Sequence, residues 1–126
     1  MQIPSQLPEA EFEIMQIVWA NPSPITTAQI AGLAKGTKSW HLSTIKTLLR
    51  RLMTRGFLHG EKQGNELHYT PLVPQEDYIK AETEIFMEKY HKRSLFGLMR
   101  AMYSDKKIDQ KDIAEIEAWL DSVGGD

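Results

Sequence analysis

From Ile45 onward the apolar side chains fall at Ile45, Leu48, Leu49, Leu52 and Met53, the i, i+3, i+4, i+7, i+8 spacing that commits one face of an α-helix to a core. The other face is left with Ser43, Thr44, Lys46, Thr47, Arg50, Arg51 and Thr54. Gly56 stops this helix, because a residue without Cβ takes left-handed backbone at little cost. Residues 57–61 and 66–70 then read as two strands straddling Lys62-Gln63-Gly64-Asn65, a turn with Gly and Asn where positive φ is wanted. Residues 37–70 therefore predict a cationic helix that passes without a break into a β-hairpin. With Gln63-Gly64 as a two-residue loop, Leu58 faces Tyr69 and Gly60 faces Leu67 on the covered side, and His59 opposes His68 on the exposed side.

Two shorter helices precede this pair. The first opens around Pro8, whose fixed φ suits a first turn, with Glu9 and Glu11 placed well for the helix dipole. It ends before Asn21-Pro22, and its apolar face is Phe12, Met15, Val18 and Trp19, widened by Ile14, which assigns Trp19 to the core. Ser23-Pro24-Ile25 is an extended connector. Thr26 with Gln29 three residues on forms a capping box, and Ile25 is spaced to staple onto Ile30, so a short helix runs roughly over 26–34 and Gly36 ends it. Helix, short helix, then a longer helix with a polar face is the helix-turn-helix order, with the third helix as reader and the hairpin as its wing. Short hydroxyls early in that helix and long cations later suit one whose first turns meet base edges while its later turns grip phosphate.

Charge position supports the same assignment where total charge does not. Seventeen acidic against 15 basic side chains give a net charge of −2, yet residues 35–62 hold seven cations (Lys35, Lys38, Lys46, Arg50, Arg51, Arg55, Lys62) and one anion, Glu61. Residues 75–126 hold eight cations and twelve acidic groups. A polyanion would approach one face only. The absence of cysteine excludes disulfides and thiolate metal sites, and no stretch nears the roughly 20 apolar residues of a membrane span. The acidic start MQIPSQLPEAEFEI lacks the pattern of a signal peptide, so a cytoplasmic protein is expected.

Thr70-Pro71 and Val73-Pro74 mark a seam, dividing the chain into residues 1–74 and 75–126. The second part reads as three helices with large apolar groups: Tyr78, Ile79, Ile85, Phe86 and Tyr90; then Leu95, Phe96, Leu98, Met99, Met102 and Tyr103; then Ile113, Ile116, Trp119, Leu120 and Val123. Asp109 as N-cap, Asp112 three residues on and an Ile108–Ile113 staple announce the last of them, which runs up to Gly124-Gly125. About fifty residues in three helices close a core poorly on their own. Two copies sharing one core are therefore expected, an obligate homodimer held through Ile79, Phe86, Tyr90, Leu95, Leu98, Met99, Met102, Ile113, Ile116, Trp119 and Leu120.

Ile3-Pro4 and the run Ala10-Glu11-Phe12-Glu13-Ile14-Met15-Gln16-Ile17-Val18-Trp19 match an opening of the form I-P…A-E-x-E-V-M-x-x-I-W. Trp40, Thr44-Ile45, Thr47, Leu49, Arg51-Leu52 and Gly56 match W-S-x-x-T-I-x-T-x-L-x-R-L-x-x-K-G, and Tyr69-Thr70-Pro71 matches a closing Y-x-P. Through these spaced motifs the chain resembles the β-lactamase and methicillin-resistance repressors (BlaI and MecI) with the copper-responsive CopY repressors, over nearly its whole length. The resemblance implies dimeric transcriptional repressors on pseudo-palindromic promoter operators, released when an inducer-linked protease cuts the C-terminal domain or when copper arrives. It also implies that Thr44 and Thr47 face the groove. In the β-lactamase repressors the cut falls at an Asn-Phe pair, where this chain has Ala101-Met102. The copper repressors sense metal through C-terminal cysteine pairs, and this chain has no cysteine, which excludes that chemistry.

The expected DNA contacts follow from both lines. Ser43, Thr44 and Thr47 are assigned to base edges, and Lys46, Arg50 and Arg51 to phosphate or guanine. Two roles stay open for Thr26 and Thr27, a phosphate held at a helix N-terminus or capping alone. Trp40 is read either as packing or as an indole N–H donor to phosphate, and Lys62 and Asn65 either as minor-groove or backbone contacts or as an exposed turn. The His59 and His68 pair is half of a metal site at most, so no metal and no cofactor is expected. No glycine-rich phosphate loop, Ser-His-Asp set or His-Glu-x-x-His motif is present, and Glu82, Glu84, Glu88, Asp112, Glu115 and Glu117 read as solvated helix faces rather than catalytic pairs, so an enzyme is not expected. The competing reading is a winged-helix adaptor that binds protein without reading DNA. Such an adaptor has no use for cations concentrated around the third helix.

Overall fold

The computed structural model describes residues 6–36 and 39–124, so Ile3-Pro4, Lys38 and Gly125 lie outside the described residues. The chain divides into two compact units, Met1–Glu82 and Thr83–Asp126. The first contains α1 (Glu9–Trp19), β1 (Ile25–Thr26), α2 (Thr27–Ala34), α3 (Leu42–Thr54), β2 (Leu58–Gln63) and β3 (Glu66–Pro71). α4 (Gln75–His91) begins in the first unit and ends in the second, which continues with α5 (Leu95–Ser104) and α6 (Gln110–Gly124). None of the described helices is long and apolar enough to cross a membrane.

The first unit is a winged helix built on the expected stripes. Ile14, Met15 and Val18 of α1, Ile30 of α2 and Ile45, Leu48, Leu49 and Leu52 of α3 interlock with Phe57, Leu58 and Tyr69 of the hairpin region, all of them buried. Phe12, Trp19 and Met53 pack against this core from its edge. The capping box at Thr26 forms as expected: the Gln29 N–H donates to Thr26 Oγ1 at 3.1 Å and the Thr26 N–H donates to Gln29 Oε1 at 2.9 Å. Gly56, at φ 84°, ends the hydrogen-bonded run after α3.

Three local expectations are corrected. The connector at Ile25 is extended but also pairs, as β1, with β3 in an antiparallel sheet of order β1-β3-β2. The wing loop is Gly64-Asn65 rather than Gln63-Gly64, so Gly60 pairs with Tyr69, Glu61 with His68 and His59 with Thr70, and the two histidines do not face each other. Gly64 takes φ 65°, the positive value that the first position of a type II′ hairpin loop requires. The pairing moves by two residues, an even number, so Leu58, Gly60 and Tyr69 stay on the covered side as expected, whereas Leu67, paired with Lys62 near the wing tip, is 37% exposed. Gly36 follows the C-cap residue Lys35 but does not enter the left-handed region.

Glu11 lies at the start of the buried stripe of α1 and is 2% exposed. Arg55, just past α3, donates from Nε to its Oε1 at 2.6 Å, so the carboxylate is paired inside the fold. The segment after the sheet is tied down in the same unit. Trp19 Nε1 donates to the Val73 carbonyl at 2.9 Å, and Tyr78, in the first turns of α4, is buried against Phe12, Trp19 and Phe57 while its hydroxyl accepts the Leu7 N–H at 2.9 Å.

In the second unit the helix starts are well capped. Ser94 Oγ accepts the Gly97 N–H at 2.9 Å, and Asp109 and Asp112 exchange reciprocal 3.0 Å bonds between side chain and backbone, the expected capping box of α6. Neither α5 nor α6 has a buried residue, and Leu95, Phe96 and Trp119 are 60%, 70% and 59% exposed. This unit presents its large apolar groups outward instead of enclosing them.

Candidate nucleic-acid interface

The buried stripe of α3 turns its remaining faces outward from the first unit. Lys46 and Arg50, one turn apart on the flank next to the wing, line a concavity of about 600 Å³ with Leu42, Thr27 of α2, and Lys62, Asn65 and Glu66 of the wing. Three cations from two elements thus converge on one trough, with Glu66 the acid among them and His68 Nε2 4.0 Å from its carboxylate. Lys35, Lys46, Arg50, Arg51 and Lys62 are exposed and have no ion pair among the described residues. Arg55 does not add to this field, because Glu11 neutralises it.

Ser43 and Thr44 are exposed, and Thr47 is half-buried beside them. Their helical positions place Ser43 and Thr47 on the outward crest and Thr44 and Arg51 on the flank away from the wing. Thr47 Oγ1 donates to the Ser43 carbonyl at 3.0 Å and Thr54 Oγ1 to the Arg50 carbonyl at 3.1 Å, which fixes both rotamers and leaves the oxygen lone pairs as acceptors. Thr26 spends its hydroxyl on the capping box, and Thr27 Oγ1 lies 3.4 Å from the Tyr69 hydroxyl as donor. Trp40 is half-buried and packed against the core.

Of the residues assigned from the sequence, Lys46, Arg50, Lys62, Asn65 and Thr27 are therefore brought together, and Ser43, Thr44, Thr47 and Arg51 share the adjoining outer surface of α3. Leu42 was not anticipated there, although an apolar residue standing off the stripe at 45, 48, 49, 52 was its visible signal. Glu11, suited by sequence to the helix dipole, is instead buried, and its position three and four residues before Ile14 and Met15 is the sign that it enters the core. Among the described residues no group of three acidic or histidine side chains is positioned to hold a metal ion.

The residues expected to pair two copies belong to α4, α5 and α6. Ile79, Phe86, Tyr90, Leu95, Met102, Trp119 and Leu120 are exposed, and Leu98, Met99, Ile113 and Ile116 half-buried. Met99 and Ile113, with Phe96 and Ile108, border an apolar hollow of about 690 Å³ between α5 and α6.

Comparison with known proteins agrees with this geometry. The family model described as penicillinase repressor matches residues 7–122. The chain is 30% identical over 111 residues to the penicillinase repressor of Bacillus licheniformis, covering 88% of this chain and 86% of that protein. It is 26% identical to the methicillin resistance regulatory protein MecI of Staphylococcus aureus (strain N315), covering 88% and 89%. Among solved structures it is similar to the DNA-binding domain of the repressor BlaI, with a TM-score of 0.54 and 36% identity over 61% of this chain and 92% of that one. It is also similar to monomeric Bacillus licheniformis BlaI in complex with the blaP half-operator, with a TM-score of 0.51 and the same identity and coverage.

Proposed function

The chain belongs to the penicillinase repressor family, and from that premise we propose that it is a DNA-binding transcriptional repressor acting as a homodimer on a pseudo-palindromic promoter operator. The observation that carries this reading is the convergence of Lys46 and Arg50 of α3 with Lys62 of the wing on one concavity beside the exposed Ser43 and Thr44. In this reading α3 enters the major groove, Ser43, Thr44 and Thr47 meet base edges, and Lys46, Arg50 and Arg51 hold phosphate or guanine. Lys62 and Asn65 reach the backbone or minor groove alongside. Residues 1–74 bind DNA and residues 75–126 dimerise, with Tyr78 of α4 completing the core of the first unit. The protein adaptor reading finds no support in the trough, whose three cations on two elements suit a polyanion.

The shape of the site supports separate roles on α3. Removing a phosphate contact weakens all duplexes alike, whereas removing a base contact erodes preference. Arg50→Ala is expected to lower affinity for specific and bulk DNA similarly and to flatten the dependence of log Kd on log salt by about 0.9 per contact. Thr47→Ala is expected to cost something like 1 kcal/mol on the preferred duplex and little on bulk DNA. Anisotropy titrations across a salt series check both. Two variants indistinguishable from wild type would mean that α3 is not the reading helix.

The inducer-linked protease of related repressors is a further candidate partner. Its Asn-Phe pair is replaced by Ala101-Met102 inside α5, so release of this repressor is proposed to use another position or another signal.

A further inference from the structure

Leu42 is the first residue of α3, and its side chain is 50% exposed. The buried stripe of the helix begins at Ile45, so Leu42 contributes nothing to the core. It stands on the wing-side flank, one turn before Lys46 and two before Arg50, and lines the same concavity. Its exposed neighbours in that turn, His41, Ser43 and Thr44, are all polar. At the base edges of the major groove the groups presented are hydrogen-bond donors, acceptors and one apolar group, the 5-methyl of thymine.

We propose that Leu42 is a specificity-determining residue that packs on a thymine 5-methyl group in each operator half-site, an inference that rests on DNA binding through α3. A first-turn side chain of the reading helix is where base edges are met, while Lys46 and Arg50 on the same flank anchor the duplex and so set the leucine's register along it. A leucine forms no hydrogen bond in the groove. Its contribution is the burial of apolar surface, and it discriminates thymine from every base that lacks the methyl.

The test uses the full chain and the tightest duplex recovered from a randomised DNA pool, with its thymines replaced one at a time by deoxyuridine, which removes the methyl and nothing else. At one thymine per half-site wild type is expected to lose about fourfold in Kd, the effect of exposing one methyl group. Leu42→Ala is expected to show no loss at that position, and Leu42→Met, which keeps an apolar side chain of similar reach, to retain it. Circular dichroism melts establish that both variants fold. An unchanged deoxyuridine profile in Leu42→Ala, or a wild-type profile with no sensitive thymine, overturns the proposal and leaves DNA binding standing. A wild type that enriches no duplex over the starting pool overturns DNA binding itself, before any substitution is made.

Discussion

Glu11 shows how one buried carboxylate can organise a small fold. It sits where α1 meets the end of α3, and its 2.6 Å bond to Arg55 joins residues 44 positions apart. Removing one partner of a buried pair leaves the other charge short of solvation, but Arg55 is about a third exposed and can turn to water. Glu11→Ala is therefore expected to lower stability by about 1–2 kcal/mol, below the range for a fully enclosed pair. Glu11→Gln, which keeps an acceptor, should lose less. Urea denaturation of the two variants checks the order, and equal losses would mean that the carboxylate charge missing from both, rather than packing or a neutral acceptor, sets the effect. Tyr78 offers a second test in the same core. Burial pushes its phenol above the ordinary value of 10.0, helped by Glu82 and opposed by the hydrogen bond from the Leu7 amide. The unfolded chain then releases this proton at lower pH than the folded one, so the stability tied to Tyr78 is complete below about pH 10 and is lost as pH rises through the folded value. Tyr78→Phe is expected to cost about 1 kcal/mol at neutral pH, through the lost bond to Leu7, and to remove part of the alkaline decline. Thermal melts of both proteins across pH 8 to 11 read the difference.

At the scale of elements, the wing depends on a single backbone conformation. Gly64 has open space around it, yet its φ of 65° is strained for any residue with a Cβ. Gly64→Ala is expected to cost about 1–2 kcal/mol through the backbone alone and to weaken DNA binding by loosening Lys62 and Asn65, read by denaturation and anisotropy together. Gly60 makes the contrast. A Cβ there would come 2.7 Å from Met53 Sδ, a side chain able to give way, so Gly60→Ala should perturb the contact between α3 and β2 while leaving the turn intact. The wing also shows where sequence ran out. Its two strands and covered face were legible from alternation, but Gln63-Gly64-Asn65 allowed two loop placements, and the choice between them moved every pairing by two residues. β1 was not legible because two residues carry no period. The helices were, since each apolar stripe spans several turns and Thr26, Gly56 and Asp109 mark ends by chemistry rather than by statistics. What single-helix patterns could not deliver was pairing across the chain, which is why Glu11 with Arg55 and Tyr78 with Leu7 emerged only from the fold.

For the whole molecule, the two units pose opposite problems of surface. The first closes a core that holds fifteen buried apolar residues among those described and turns its cations outward; the second leaves Phe86, Tyr90, Leu95, Phe96, Trp119 and Leu120 in water. Exposing that many large apolar groups on helices with well-made caps is costly unless another surface covers them. A second copy is the covering surface that the proposed function calls for, because a palindromic site needs two reading helices on one body. Light scattering should then give twice the 14.4 kDa chain mass at micromolar concentration, with a Tm that rises with concentration, as it must when association and folding are linked. Trp119→Glu, which places a charge on the face to be covered, is expected to shift the mass to that of one chain. The same variant separates assembly from recognition. Linking two heads makes the second binding event intramolecular, typically a gain of about 10²–10⁴ over one head. Trp119→Glu should lose most of that gain on a duplex with two half-sites and keep wild-type affinity for a single half-site, where only α3 and the wing take part. Equal loss on both duplexes would mean that the substitution damages the reading head, and a wild type of single-chain mass would rule out a second copy as the cover of its exposed aromatic face.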